Sequence, residues 1–165
     1  MRVLKGKVDS LDLGPIKYKL VCEYGWTREE ADAMEPQYKA FLYLSQKYPD
    51  KSIVPSKRLD EMWHMHILDT RKYAEDCEHL FGHFLHHFPY FGLRGSDDAI
   101  ALANAFQETA EIFKKEFGID LSVDTKTEAA DCTSGTCGTS CGAQCSDYIR
   151  SEARPVYSEL ASTCD

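Results

Sequence analysis

All six histidines of this 165-residue chain lie between Leu59 and Gly92, in the stretch LDEMWHMHILDTRKYAEDCEHLFGHFLHHFPYFG. They are His64, His66, His79, His83, His86 and His87. Neutral imidazole is a common ligand for zinc, iron and other transition metals, so a metal site is the first hypothesis. Whether these histidines can share a metal ion depends on the secondary structure that this stretch adopts.

One straight helix through the stretch cannot assemble such a site. At about 1.5 Å per residue, His64 and His87 would lie roughly 35 Å apart, and His64 and His66 would point about 200° apart. Asp69-Thr70 follows an apolar pair, and both residue types are common helix caps. The sequence therefore predicts one helix over residues 57–68 and a second over 70–85, folded back against the first.

The two predicted helices each carry metal-ligating residue types on one face. Asp60 and His64 are separated by four positions on the first helix, a spacing that allows two ligands to converge. His79, His83 and His87 repeat at the same spacing on the second. Two such faces in contact predict a site of mixed histidine and carboxylate ligands.

A spaced motif also runs through this stretch: Asp60-x-x-Trp63-His64-x-His66, then Asp69-x-x-x-Tyr73-x-x-Asp76-Cys77, then Phe81-Gly82 and His87. Over roughly residues 39–92 it resembles the glycine-rich domain-containing protein-like family, a domain of unknown function in plant and bacterial proteins. The resemblance implies that His64, His66 and His87 matter most among the histidines. The RNA-binding domain of some plant members has no counterpart here, so the resemblance implies no nucleic-acid function.

The candidate ligands divide into two groups. The metal ligands are predicted to be His64, His66, His87 and Asp60. Weaker candidates, as ligands or as partners that orient them, are His83, His86, Asp69, Tyr73, Asp76 and Cys77. Several have a structural alternative: Tyr73 can form part of the core, Cys77 can be a small buried residue, and Asp76 can orient a histidine.

The remaining sequence predicts an all-α fold, a compact helical bundle spanning residues 1–125. Thr27 and Glu30 match the capping box that begins a helix, and Ser56 and Ser96 are further helix starts. Residues 126–165 are rich in Cys, Gly, Thr and Ser and are predicted to form a disordered tail with one short terminal helix. Its thiols lack the Cys-x-x-Cys pairs of structural zinc sites, so metal capture and modification of the peptide both stay open for Cys132, Cys137, Cys141 and Cys145.

Charge and hydropathy exclude some classes of partner. With 27 acidic and 19 basic residues, the net charge of −8 disfavours binding to nucleic-acid phosphates. No apolar stretch approaches membrane-spanning length, and the N-terminal sequence is unlike a signal peptide. The sequence predicts a cytoplasmic protein whose partner is a small molecule or a peptide, and it does not determine an oligomeric state.

The functional prediction is a small metal-binding protein, with iron or zinc at a His/carboxylate site of a metal-dependent enzyme. Two histidines and one carboxylate with open positions suit iron and oxygen chemistry, whereas a closed set suits structural zinc. The alternative is a non-catalytic scaffold or interaction protein in which histidines, with or without zinc, hold two helices together. The sequence shows no nucleophile–base pair and no phosphate loop.

Overall fold

The computed structural model of the protein describes residues 2–121, with side chains from Lys5 onward. Within this range there are six α-helices and no β-strand, which confirms the all-α prediction. They are α1 (Arg2–Asp9), α2 (Gly14–Tyr24), α3 (Arg28–Lys47), α4 (Lys57–Leu68), α5 (Thr70–Phe81) and α6 (Ser96–Phe117). The predicted Cys-rich tail and the domain boundary at residue 125 lie outside the described residues.

Side-chain caps begin α3 and α4 where the sequence predicts, whereas α6 begins at the predicted Ser96 without a side-chain cap. The Thr27 hydroxyl accepts a hydrogen bond from the Glu30 amide, and the Glu30 carboxylate accepts one from the Thr27 amide, at 3.1 and 2.9 Å. The Ser56 side chain likewise accepts from the amide of Leu59 at the start of α4. These bonds satisfy amide groups that have no partner in the first turn of a helix.

Helix α4 lies at the centre of the bundle and packs against α2, α3 and α5. Its side chains Leu59 and Met62 are fully buried, and they join Tyr38, Phe41 and Leu44 of α3 in the core. The central helix is therefore held on three sides, which fixes the direction of the residues on its remaining face.

Helix α6 is attached mainly by its second half. Phe113 is fully buried, and the Glu116 carboxylate accepts hydrogen bonds from Lys47 at 2.6 Å and from the Tyr48 hydroxyl at 2.9 Å. The Thr109 hydroxyl accepts from the amide of Val54 at 3.0 Å. These contacts fasten α6 to the end of α3 and to the loop that precedes α4.

The predicted break between the two histidine-bearing helices is confirmed. Helix α4 ends at Leu68, α5 begins at Thr70, and Asp69 between them has the non-helical angles φ −81° and ψ 67°. The predicted end of the second helix at residue 85 is wrong, however. Gly82 adopts the left-handed conformation, φ 71°, that closes a helix end, so the predicted His79–His83–His87 face does not form.

Candidate metal centre

Three side chains of the histidine stretch bring ligand atoms together. The His64 Nε2 and His87 Nε2 atoms are 3.1 Å apart, and His87 Nε2 is 3.1 Å from Asp60 Oδ1. His64 Nε2 is 3.4 Å from the other carboxylate oxygen of Asp60. Among the described residues, this is the only group of three or more His, Cys, Asp or Glu side chains whose ligand atoms converge in this way.

The separations suit a shared ion. With ligand bonds of about 2.0–2.1 Å, neighbouring ligand atoms are about 3.0 Å apart in an octahedral site and about 3.3 Å apart in a tetrahedral one. The observed distances of 3.1, 3.1 and 3.4 Å lie in this range. A His87 Nε2–H group could donate its one hydrogen to only one of its two neighbours, whereas a cation between the three groups would interact with all of them.

The local structure explains two of the three positions directly. Asp60 and His64 lie one turn apart on α4, so their side chains share one face of the helix. The Asp60 side chain is 11% exposed and the His64 side chain 44% exposed. The pair therefore combines a buried carboxylate with a solvent-accessible imidazole.

His87 reaches the pair because the chain turns back after α5. The Trp63 ring packs against the His87 ring with the centroids 4.6 Å apart. Two residues earlier, the backbone of Leu85 is bonded to α5 on both sides: its carbonyl accepts from the Tyr73 hydroxyl at 2.6 Å, and its amide donates to Cys77 Sγ at 3.5 Å. Tyr73 and Cys77 thus position the segment that carries His87.

The Tyr73 hydroxyl also connects this anchor to Trp63. It accepts a hydrogen bond from Trp63 Nε1 at 2.9 Å while it donates to the Leu85 carbonyl. Burial raises the pKa of Tyr73 well above its ordinary value, so the hydroxyl keeps its proton and remains a donor throughout the neutral range. Trp63, Tyr73 and Leu85 therefore form one hydrogen-bonded support beside His87.

Replacing Tyr73 by Phe should weaken metal binding without removing any ligand. The variant loses the donor to Leu85, so His87 is held less firmly, and the expected loss in zinc affinity is roughly ten- to hundredfold, as for other groups that orient ligands. Zinc titration against a competing chromophoric chelator measures this change. The matched control is Tyr38→Phe, which also removes a buried hydroxyl but should leave zinc affinity within about twofold of the wild type, because Tyr38 bonds to His66 and His66 contributes no atom to the converging cluster. Equal affinities in all three proteins would contradict the positioning role of Tyr73.

His66 lies outside this cluster, contrary to the prediction from the sequence. It is 1% exposed, and both ring nitrogens face protein partners: Nδ1 lies 2.8 Å from the Tyr38 hydroxyl and Nε2 lies 3.1 Å from Asp76 Oδ2. The physical reason is helical periodicity, which directs side chains two positions apart on α4 to opposite sides. His66 is a satisfied core histidine.

The protonation of this buried network follows from its neighbours. Burial raises the pKa of Tyr38 well above its ordinary value, so its hydroxyl donates to His66 Nδ1 and leaves the Nε2–H of His66 to donate to Asp76. Burial alone would raise the pKa of Asp76, but hydrogen bonds from His66 and Lys72 outweigh it and lower the pKa. Asp76 is therefore ionised at neutral pH and orients His66 rather than a metal ligand.

A family model matches residues 15–112, more than half of the chain, and this span contains the whole cluster of Asp60, His64 and His87. The chain belongs to the UCP032817-like family. This family is uncharacterised, and the match does not support the glycine-rich domain name that the sequence motif resembles. A search of curated proteins and a search of solved structures found no match.

The weaker ligand candidates of this UCP032817-like chain lie away from the cluster. His83 is exposed, with Nδ1 3.1 Å from the Phe81 carbonyl, and the exposed His86 packs against Phe84. Asp69 forms the joint between α4 and α5, where its carbonyl accepts from the amide of Tyr73. The four tail thiols, Cys132, Cys137, Cys141 and Cys145, lie outside the described residues.

A cleft of about 330 Å³ adjoins the cluster, and Asp60, Trp63 and His87 form part of its lining. The other walls come from the loop before α4, from the segment after His87 and from Leu102 of α6. Sequence reasoning missed this cleft. The one local signal in the sequence is the aromatic run Phe88–Phe91, which directly follows a ligand histidine. A run of four residues is too short to form the apolar face of a helix, so its rings need another role, and two of them line the cleft.

None of the described helices of the UCP032817-like chain is long and apolar enough to cross a membrane.

Proposed function

We propose that this protein binds one transition-metal ion, iron or zinc, through Asp60, His64 and His87, and that it is a metal-dependent enzyme. One observation carries the proposal: a carboxylate and two imidazole Nε2 atoms converge at 3.1–3.4 Å beside a cleft. Two imidazoles and a carboxylate form a ligand set that both zinc and non-haem iron use in proteins.

The number of ligands supports catalysis over a purely structural role. Structural zinc sites are almost always closed by four protein ligands, whereas catalytic sites have three and keep a position for water or substrate. No fourth His, Cys, Asp or Glu side chain joins the cluster within residues 2–121. A bound ion with an open position would supply a Lewis acid, an activated water or, for iron, a site for oxygen chemistry.

Electrostatics and access also favour a bound cation. The carboxylate of Asp60 supplies a negative charge, and its side chain is only 11% exposed, so water screens that charge incompletely. The His64 ring, at 44% exposure, gives an ion a route to solvent. A site of this kind can exchange its metal without unfolding of the chain.

Removal of the metal tests the proposal. The protein purified from its own host should contain iron or zinc by elemental analysis, and a strong chelator should remove the ion while the helical circular dichroism and a cooperative melt persist. The melting temperature should rise again when the metal is returned, because an ion that binds only the folded state stabilises it by mass action.

Two other outcomes are informative. If the chain loses its cooperative melt when the ion is removed, the metal has a structural role, as in the scaffold alternative. If the purified protein contains no metal and takes up neither zinc nor ferrous iron, the proposal is wrong.

A further inference from the structure

The cleft beside the metal centre has a distinctive lining. Most of its side chains are apolar, including Ile53, Trp63, Phe88, Phe91 and Leu102. The polar side chains that line it are those of the ligands Asp60 and His87, together with Ser52 and Arg94. Among the residues that line the cleft, Arg94 is therefore the one ionisable residue that does not belong to the metal centre.

The charge of Arg94 is already balanced within the protein. Its guanidinium donates to Asp98 at 2.6 and 3.2 Å and lies over the Phe88 ring, 5.2 Å from the centroid. The indole Nε1 of Trp63 is likewise engaged, because it donates to the Tyr73 hydroxyl. A ligand in the cleft would therefore meet aromatic and aliphatic surface on most sides.

One wall of the cleft, which includes Arg94, is held by a fixed turn. The amides of Gly92 and Arg94 donate to the Asp98 carboxylate at 2.7 and 3.2 Å. The hydrogen bond from the Arg94 side chain, supported by these amides, lowers the pKa of Asp98 to about 2. Asp98 is consequently ionised under all ordinary conditions and holds the turn in place.

Gly92 brings the same turn into close contact with α6. Its φ is 91°, and a Cβ atom at this position would lie 2.6 Å from Leu102 Cδ2. Only glycine combines this backbone conformation with this approach. The wall is thus formed before any ligand binds, as is usual for small-molecule sites.

We infer that this cleft binds the apolar, ring-bearing body of a small molecule whose oxygen-donor head group reaches the metal held by Asp60, His64 and His87. This inference rests on the proposed function, because the head group needs the ion. The volume of about 330 Å³ lies near the lower end of the ~300–1,000 Å³ of ligand pockets. A compact aromatic substrate fits that size better than a folded partner or a long peptide.

Two hydroxamates that share a metal-binding head test the inference. Benzohydroxamate carries a phenyl ring and acetohydroxamate a methyl group, and each is titrated into the zinc-loaded 165-residue chain by calorimetry. Burial of the ring in the cleft should make benzohydroxamate roughly ten- to hundredfold tighter than acetohydroxamate. The same ratio measured for free zinc in buffer serves as the reference.

A matched pair of substitutions on α6 locates the binding. Leu102 lines the cleft and lies outside the buried core, whereas Ile100 is 59% exposed and does not line it. Leu102→Asp should remove most of the phenyl advantage while metal content and acetohydroxamate affinity persist, and Ile100→Asp should change none of the three. Phe91→Ser, on another wall, should act in the same direction as Leu102→Asp.

The outcomes separate the two proposals. Equal affinity for both hydroxamates, or a phenyl advantage that Leu102→Asp and Phe91→Ser leave intact, overturns the cleft inference while the metal site stands. A wild-type chain that holds no zinc and binds neither hydroxamate overturns both.

Discussion

His64→Ala combined with His87→Ala should reduce the bound metal from about one ion per chain to background, because two of three direct bonds are lost. Each single substitution should weaken binding by more than the roughly ten- to hundredfold typical of groups that merely orient ligands. Elemental analysis after dialysis against zinc or ferrous iron measures both effects. The His64 side chain is 44% exposed, so its removal should cost little stability.

The control for this experiment has the same change in composition. His83→Ala combined with His86→Ala also removes two histidines, but both are exposed and neither belongs to the converging cluster. This variant should retain the metal content of the wild type. If the control loses as much metal as His64→Ala/His87→Ala, metal binding depends on the number of histidines in the chain and not on the arrangement of Asp60, His64 and His87.

Asp76→Ala should destabilise the fold by about 3 kcal/mol. The substitution leaves the Nε2–H of His66 without an acceptor in the core, where the residue is 1% exposed, and it separates Lys72 from its partner carboxylate. Urea denaturation at pH 7 measures the change as a lower midpoint with an unchanged slope. Glu75→Ala is the control, since Glu75 is an exposed acid one position earlier on α5, and its effect should stay within about 0.5 kcal/mol.

The effect of Asp76 should also depend on pH in a defined direction. The pKa of Asp76 is lowered in the folded state. Its contribution to the free energy of unfolding is therefore fully present above its ordinary pKa of 3.8 and is lost as the pH falls through its folded-state pKa. The stability difference between Asp76→Ala and the wild type should therefore narrow below pH 3.8. A difference that stays constant through this range would contradict the ionised state of Asp76.

Metal content distinguishes the His66 network from the metal centre. The folded Asp76→Ala variant should bind as much metal as the wild type, because Asp76 and His66 contribute no atom to the converging cluster. A variant that remains folded but loses its metal would place His66 in the site after all.

Local signals in the sequence were sufficient for part of this structure. The break at Asp69-Thr70 is predicted from two capping residue types after an apolar pair, although the Asp69 side chain makes no capping hydrogen bond on α5. The pairing of Asp60 with His64 follows from the four-residue spacing on one helix. Both depend on residues that are close in the chain. Neither prediction requires knowledge of how the other helices pack.

The fate of His66 depends on residues far along the chain. Its partners are Tyr38, 28 positions earlier, and Asp76, ten positions later. Helical periodicity places His66 and His64 on opposite sides of α4, but both lie in the same Trp-His-Met-His run, and this local pattern does not show which side is buried. Only the packing of α3 and α5 on α4 shows that His66 is buried among protein partners while His64 lies beside His87.

The position of His87 illustrates a competition between two signals. The recurrence of histidines at every fourth position predicts a helix through residue 85, while Gly82 is a residue that commonly ends one. The glycine prevails, and α5 stops at Phe81. His87 then reaches α4 through contacts of Leu85 with Tyr73 and Cys77, which the helical pattern could not reveal.

X-ray absorption at the zinc edge of the zinc-loaded protein tests the central claim most directly, because it identifies the atoms bound to the ion. The arrangement of Asp60, His64 and His87 predicts two imidazole nitrogens at about 2.0–2.1 Å and oxygen at about 2.0–2.2 Å, with no sulfur. Sulfur at about 2.3 Å would show that cysteine thiolates hold the ion instead, and would contradict the site proposed for this protein.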